Sequence, residues 1–440
     1  MTTLILSLLV AMSVQGRMHI ETTTVAIEQL DLAGCVALAM QNSPAISSAE
    51  ASLLSAEASL TNSKAFLWPS LSLSAGVSRN WSTSELPDGS LSDNEMNSFS
   101  TSLNLSQELL ASGGQNWLYL EASELSMQAS LVDNRGEILN ITQNVINSYY
   151  SVLEAEELKI SAEAAYARSL NQLERTEALY EIGGVTTLDL LQIQVQESGD
   201  KLSVIRNEQS VYSAYNDLFN AMGIDADANV FRINPDAVLQ PLPMESVSRI
   251  PLDYSNNPSY LAASFRLRAS EYQSDAAGRA YWPSLRANAG WSWNDNTLDD
   301  VDRMFDTDGY NAGLSLSWNV FDGFRRESAV KSSRATYLSS RASIETLENN
   351  LKASIESLSN SLRIDIQYYN DSKQMLEQTE EQYRLSLMSY EMGALPLLDL
   401  LKAQSDLAQS EANLVSARVS ALRTEASLLI QLGEMPRVGE

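Results

Sequence analysis

One stretch of this chain occurs twice, and the repetition limits what the chain can fold into. Tyr180-Glu-Ile-Gly-Gly-Val-Thr-Thr-Leu-Asp-Leu-Leu returns 210 residues on as Tyr390-Glu-Met-Gly-Ala-Leu-Pro-Leu-Leu-Asp-Leu-Leu, and eight of the fifteen positions from Tyr180 to Gln194 are identical. Each copy reads as one helix stopping and another starting. Gly183 and Gly393 provide the stop, where a left-handed backbone costs nothing. Thr186, three residues before Asp189, reads as the cap of the new helix, and Pro396 reads as lying just inside its counterpart. These are two tight helical tips, at about 180–189 and 390–399.

The repetition reaches well beyond the tips. Asn42-Ser-Pro44 and Trp68-Pro69-Ser70-Leu71 return 214 residues later as Asn256-Asn-Pro258 and Trp282-Pro283-Ser284-Leu285. The residue before a proline is pushed out of the helical region, so each Trp-Pro marks a change from helix to extended chain. The hydrophobic period then drops to two. Leu71, Leu73, Ala75 and Val77 alternate with Ser72, Ser74, Gly76 and Ser78, and after a polar turn over Ser84–Asn94 the chain returns through Phe99, Thr101, Leu103 and Leu105. The second copy alternates through Leu285, Ala287, Ala289, Trp291 and Trp293, then Tyr310, Ala312, Leu314, Leu316, Trp318 and Val320. Each repeat therefore carries one β-hairpin, at about 68–110 and 282–321, with an apolar face and a small polar face. Strands of roughly 10–14 residues suit a tilted membrane span, and Trp291, Trp293, Tyr310 and Trp318 fit an aromatic girdle at lipid headgroups.

Ser112-Gly113-Gly114 and Asp322-Gly323 end the hairpins and read as caps of the helices that follow. From Gln115 to Ile182 there is no proline, so about 68 residues at 1.5 Å each make a rod of ~100 Å. Every seventh position is apolar, through Leu118, Leu125, Val132, Leu139, Ile146, Leu153 and Ile160, and again through Val330, Tyr337, Ile344, Leu351 and Leu358. Two shorter helices per repeat, near 42–66 and 185–222 in the first, together equal the long one in length. Tyr149-Tyr150 and Tyr368-Tyr369 look repeated but are out of register, and read as coincidence. The organisation is a first unit over 30–223, a proline-rich connector over 224–257, a second unit over 258–433 and a tail over 434–440.

Composition excludes several functions. The formal charge is −27, from 56 acidic against 29 basic residues, which disfavours nucleic acid and anionic surfaces. One Cys and one His leave no disulfide framework, no zinc cluster and no catalytic dyad, and no cofactor motif is present. The acidic turn from Asp295 to Asp308 lacks the glycine and terminal glutamate of a calcium loop and reads as solvated. No apolar run reaches the roughly 20 residues of a membrane-spanning helix. Leu4–Val14 has the length of a signal-peptide core, which places a signal segment over residues 1–16. Leu32-Ala33-Gly34-Cys35 imitates a lipoprotein box, but Glu21, Glu28 and Asp31 precede it, so Cys35 reads as a buried thiol.

From Leu30 to Gly433 the order helix, Trp-Pro, hairpin, Gly turn, long helix, Tyr-x-x-Gly tip and Asp-Leu-Leu helix occurs in duplicate, and in this the chain resembles the TolC family of bacterial outer-membrane efflux proteins. The resemblance implies a mainly α fold with a small transmembrane β part. Three chains would supply four strands each to a twelve-stranded β-barrel in the outer membrane, continued by a periplasmic α-helical barrel. Four strands alone cannot close a barrel, and twelve enclose an aqueous lumen.

The resemblance also implies a passive exit duct whose periplasmic tips are opened by an adaptor protein coupled to an inner-membrane pump of the RND or ABC type. In that frame Asp399 falls at the acidic constriction, and Tyr390 and Asp189 match residues linking neighbouring helix pairs, with Tyr180 as the first-tip counterpart of Tyr390. Gly183, Gly184, Val185, Thr186, Gly393, Ala394, Leu395 and Pro396 form the turns that would meet the adaptor. Leu395 stands where a further linking arginine is usual and Lys402 where a second acidic residue is usual, which implies a gate with fewer polar links and a mixed ring. Asp189 and Asp399 each also sit in a first helical turn, where a carboxylate stabilises the helix dipole by ~0.3–1 kcal/mol. Type I protein secretion through the same fold, and a non-membrane coiled-coil assembly protein, are the alternatives; an enzyme is disfavoured for want of a nucleophile–base pair.

Overall fold

The computed structural model describes residues 29–87, 89–225, 232–233, 240–296 and 308–437. The expected signal segment, part of the connector and most of the acidic turn lie outside the described residues. Four helices make the wall of each repeat's helical part. In the first repeat α1 (Leu32–Asn42) and α2 (Pro44–Lys64) precede the hairpin β2 (Ser70–Glu85) and β3 (Leu91–Leu110), which is followed by α3 (Gln115–Glu181) and α4 (Thr187–Met222). The second has a short α5 (Met244–Val247), then α6 (Pro258–Arg279), β5 (Ser284–Asp295), β6 (Asp308–Ser317), α7 (Arg325–Glu391) and α8 (Leu397–Gln431). Two residue pairs, β1 (Gln29–Leu30) and β4 (Arg232–Ile233), join in parallel and pin the segment ahead of α1 to the connector.

The long helices have 67 residues each. The expected pairing of one long helix with two short ones holds: α3 packs on α2 and α4, and α7 on α6 and α8. α3 also packs on α6 and α8, so the first long helix is the middle of the wall and the second lies at its margin. That is why α3 buries residues along its length while α7 buries few and α2 none. The largest core gathers at the level of α1, where Tyr149, Ile146, Leu153, Leu218 and Met222 enclose Cys35. Burial pushes the Cys35 thiol up to about 12, and the thiol is buried in this core as the sequence suggests. Tyr149 and Tyr150 lie in the same core whereas Tyr368 is exposed, so the two tyrosine pairs occupy different environments.

The heptad reading holds only in part. Leu125, Leu139, Ile146 and Leu153 are buried, but Ile160 is exposed, and below Leu153 the buried line moves to Ala155, Ala162, Ser169 and Thr176. A straight helix drifts about 20° per heptad, so one seven-residue line cannot face fixed partners along so long a rod.

The hairpins pair with each other. The sheet order is β2-β3-β5-β6, antiparallel throughout, and β2 and β6 are its edges. Register places Leu73, Leu103 and Trp291 side by side, with Tyr310 next to Trp291, so the apolar residues of all four strands share one face. Ser72, Asn104, Gly290 and Asn311 occupy the other. The first hairpin is longer than expected, with strands of 16 and 20 residues. Cross-strand bonds from Arg79 and Trp81 to Glu95, and from Thr83 to Asp93, carry the ladder through the polar stretch that reads as a turn. Conversely, β6 stops at Ser317, and Trp318 to Val320 lie beyond it.

The hairpin exits differ from the capping read in the sequence. Gly114 is the N-cap of α3 and offers no side chain, while the Ser112 backbone N–H donates to Ser284 Oγ at 3.1 Å. The N-cap of α7 is Phe324, at φ +67°, and Asp322 two residues earlier accepts the Arg326 backbone N–H at 3.2 Å and its side-chain Nε at 3.1 Å.

Candidate gate and duct wall

The two tips differ in chemistry although they share a backbone. At the first, α3 stops with Gly183 at φ +75° and the Gly184 N–H donates to the Leu179 carbonyl at 2.7 Å. Thr186 and Asp189 then form the expected reciprocal cap: the Asp189 N–H donates to Thr186 Oγ1 at 3.2 Å and the Thr186 N–H to Asp189 Oδ2 at 3.0 Å. The Thr186 hydroxyl also reaches Asp189 Oδ2 at 2.7 Å, and Tyr180 OH lies 3.4 Å from Thr187 Oγ1. The Asp189 carboxylate is thus committed to its own helix.

At the second tip, Gly393 has φ +72° and the Ala394 N–H donates to the Ser389 carbonyl at 2.9 Å. Pro396 is the N-cap itself, one position earlier than read, because α8 begins at Leu397. A proline offers no hydroxyl, so Asp399 has nothing to reciprocate with. Its carboxylate is exposed and has no hydrogen-bond or ion-pair partner among the described residues. Lys402, one turn on, is equally exposed and unpaired among them. The two are not within salt-bridge distance of each other, so the chain presents both charges to solvent.

Tyr390 and Asp189 are not brought together within the chain. The Tyr390 ring packs on an apolar cluster of Ile193, Leu397 and Leu401 with Leu173 and Leu190, which joins the two tips. The polar link between tips comes instead from residues that sequence reasoning missed: Arg175 Nη1 on α3 lies 2.7 Å from Glu391 Oε1 at the end of α7. The available signal was the glutamate following the tyrosine in both copies (Glu181, Glu391). Also missed were Ile182 and Met392, at equivalent positions and 81% and 74% exposed, which with Leu188 and Leu398 make the tip surface apolar.

Above the tips the two halves of the chain meet along α3 and α8. Arg168–Glu411 at 3.3 Å, Glu154–Arg423 at 3.3 Å and the Glu157–Arg418 pair form an antiparallel ladder of half-buried ions. The helix pairs have polar contacts of their own, Lys159–Glu208 at 3.6 Å between α3 and α4 and Thr424–Asp365 at 2.7 Å between α7 and α8, but the run of arginine–carboxylate pairs lies on this seam.

At the other end, exposed aromatics stand at both ends of the strands. Tyr310 pairs with the half-buried Trp291 toward the tip of the second hairpin, and Trp81 lies toward the tip of the first, further along β2 than Leu73, which shares the register level of Tyr310; Trp68, Trp282, Trp318, Phe321 and Phe324 lie at the strand bases. Tyr310 to Trp318 spans eight residues, about 26 Å along a strand, which a tilt reduces toward the ~25 Å apolar band of a membrane barrel. Trp318 donates its indole N–H to the Tyr281 carbonyl at 3.0 Å, anchoring the strand base to the helices. Trp293 is only 4% exposed and does not belong to the exposed set; Trp81 supplies a ring the sequence reading left out.

The sequence model of the outer membrane efflux protein family matches residues 35–224 and 252–434. The chain is 26% identical over 360 residues to the pyoverdine export outer membrane protein OpmQ of Pseudomonas aeruginosa, covering 78% of this chain and 71% of that protein. It is 21% identical over 416 residues to the outer membrane protein TolC of Vibrio cholerae, covering 94% and 93%. Among solved structures, the outer membrane protein VceC of Vibrio cholerae superposes with a TM-score of 0.79 at 20% identity over 92% of this chain and 97% of that one. The open state of the MtrE channel of Neisseria gonorrhoeae gives 0.78 at 18% identity over 93% and 90%.

Proposed function

This chain belongs to the outer membrane efflux protein family, so it is an outer-membrane channel component and not an enzyme, and from that premise we propose that it works as a homotrimeric exit duct. Three four-stranded sheets close a twelve-stranded barrel in outer-membrane lipid, and the helices continue it into the periplasm as a tunnel. The observation that carries this reading is the sheet: it has one apolar and one polar face, and both edges, β2 and β6, are open among the described residues. An unpaired edge cannot lie in hydrocarbon, so the sheet is satisfied only when β6 of one copy meets β2 of the next. The two edges differ, so the contact is heterologous and closes as a ring.

Transport is passive and gated at the tips. Asp399 and Lys402 line the constriction as a mixed ring, with Asp189, Tyr180 and Tyr390 holding the tip conformations around it. Gly183 to Thr186 and Gly393 to Pro396, flanked by Ile182 and Met392, form the surface that an adaptor protein engages on behalf of an inner-membrane pump of the RND or ABC type. Trp291, Tyr310 and Trp318, joined by Trp81, form the girdle. The relationship to a pyoverdine export protein supports a small-molecule cargo over a secreted polypeptide.

Reconstitution in planar bilayers tests the whole reading. Detergent-extracted protein should run at the mass of three chains and insert as a discrete conducting unit. Recovery as a detergent-free soluble monomer would end it.

A further inference from the structure

The chain carries its own template for how a second copy sits against it. An offset of 210 lays α3 on α7 and α4 on α8, and an offset of 214 lays α2 on α6. α3 is covered on two sides, by α2 and α4 of its own repeat and by α6 and α8 of the other. α7 has α6 and α8, with α5 and the connector packed over Ile355, Leu362 and Ile366, and the flank beyond these contacts is open among the described residues. We propose that this flank of α7 seats α2 and α4 of the next copy, in the register that α6 and α8 take on α3, with Asp371 and Lys201 paired between chains. The proposal rests on the ring reading above and specifies its seam.

In the template, Ser161 on α3 donates to Glu411 Oε2 on α8 at 2.6 Å. The offset turns Ser161 into Asp371 and Glu411 into Lys201. A hydrogen bond inside the chain thus becomes two opposite charges, both exposed and neither ion-paired among the described residues. The surrounding positions change in the same sense. Glu154, Leu158 and Ala165 of α3 become Ile364, Tyr368 and Met375, while Ala412, Val415 and Leu422 of α8 become Leu202, Ile205 and Tyr212. All six replacements stand exposed, Ile364 at 66% and Leu202 at 58%, although Ala165 and Leu422 are buried in the template. Apolar side chains exposed on two separate helices, at the positions the duplication would bury, are complementary halves of one seam.

Nearer the membrane, Ala122 and Leu125 pack with Ala269, Phe265 and Tyr272 across α3 and α6. Their counterparts are Ser332 and Ala335 on α7 with Ser55, Ala51 and Ala58 on α2. Small residues on both sides let the helix axes approach toward the ~8 Å end of the usual range. This also gives α2, none of whose residues is buried, the cover it lacks in the protomer. The seam within a chain is therefore ion-paired and the seam between chains mainly apolar.

Cysteine pairs test the register cleanly, because the single native cysteine, Cys35, is buried. Treated with a short bis-maleimide, Asp371→Cys/Lys201→Cys should give dimer and trimer bands on a denaturing gel. Ser161→Cys/Glu411→Cys should cross-link within one chain and stay at monomer mass. In a second arm, Asp371→Lys should lower the temperature at which the trimer dissociates, and adding Lys201→Asp should restore it. If the protein is trimeric by native mass but the first pair stays monomeric, or the swap restores nothing, this seam is wrong and the ring stands. If the protein is not oligomeric at all, the ring reading falls with it.

Discussion

Gly223 and Gly433 show how single residues close each repeat. Both have positive φ, +69° and +79°, and a Cβ on Gly223 would lie 2.7 Å from the Asn42 carbonyl. Gly433 faces the Asn256 carbonyl in the same way, so each last helix ends against the Asn-x-Pro that starts its own repeat. Gly223→Ala combines left-handed strain with a backbone clash, and should cost about 2–4 kcal/mol, read as a lowered thermal midpoint. The Asn-x-Pro and the glycine were each legible in the sequence as a start and a stop; that they touch was not, because nearly 180 residues separate them. Cys35 makes a second residue-scale test. Its thiol is held near 12, above the 9.0 of a free thiol, so the native protein keeps the proton longer than the unfolded chain does. Its contribution to stability is complete below pH 9 and declines as pH rises toward 12, and thiol reagents should label it only after denaturation. At the tip, Asp399→Ala should move the reversal potential away from cations; an unchanged value would mean that this carboxylate does not border the ion path.

Among elements, the α3–α8 seam is the one whose strength depends on ions. Arg418 and Glu157 are both well covered, so Arg418→Ala leaves a carboxylate without its partner and should cost about 1–3 kcal/mol. Adding Glu157→Ala should recover part of that loss, and the recovered part measures the coupling. The strands were legible from alternation, and their common apolar face follows from a period of two. The pairing of β3 with β5 was not, since it joins segments almost 190 residues apart. The length of the first hairpin was missed for a local reason: Arg79, Thr83, Asp93 and Glu95 look like loop residues, yet they satisfy one another across the strands. The heptad reading failed at Ile160 because the partners of α3 change along its length, which periodicity in one helix cannot report.

For the whole molecule, the single chain exposes surfaces that a closed ring would cover. Among the described residues its sheet has two free edges, and its margin helices carry uncovered apolar side chains at Ile364, Leu202 and Tyr212. Detergent should therefore be needed at every step of purification, and aggregation on its removal should be suppressed by amphipol or nanodisc. A sample that stays dispersed in plain buffer would contradict the membrane-facing assignment of the strands.

The duplication, the two hairpins, the long helices and the tip turns were all written in local pattern, because period, glycine and proline act over a few residues. Residue contacts across the fold were not. Which aromatic faces outward, which carboxylate is consumed by its own helix cap, and that Arg175 and Glu391 join the tips depend on segments far apart in the chain. Those distances are set only when the helices pack, and no short window of sequence contains them.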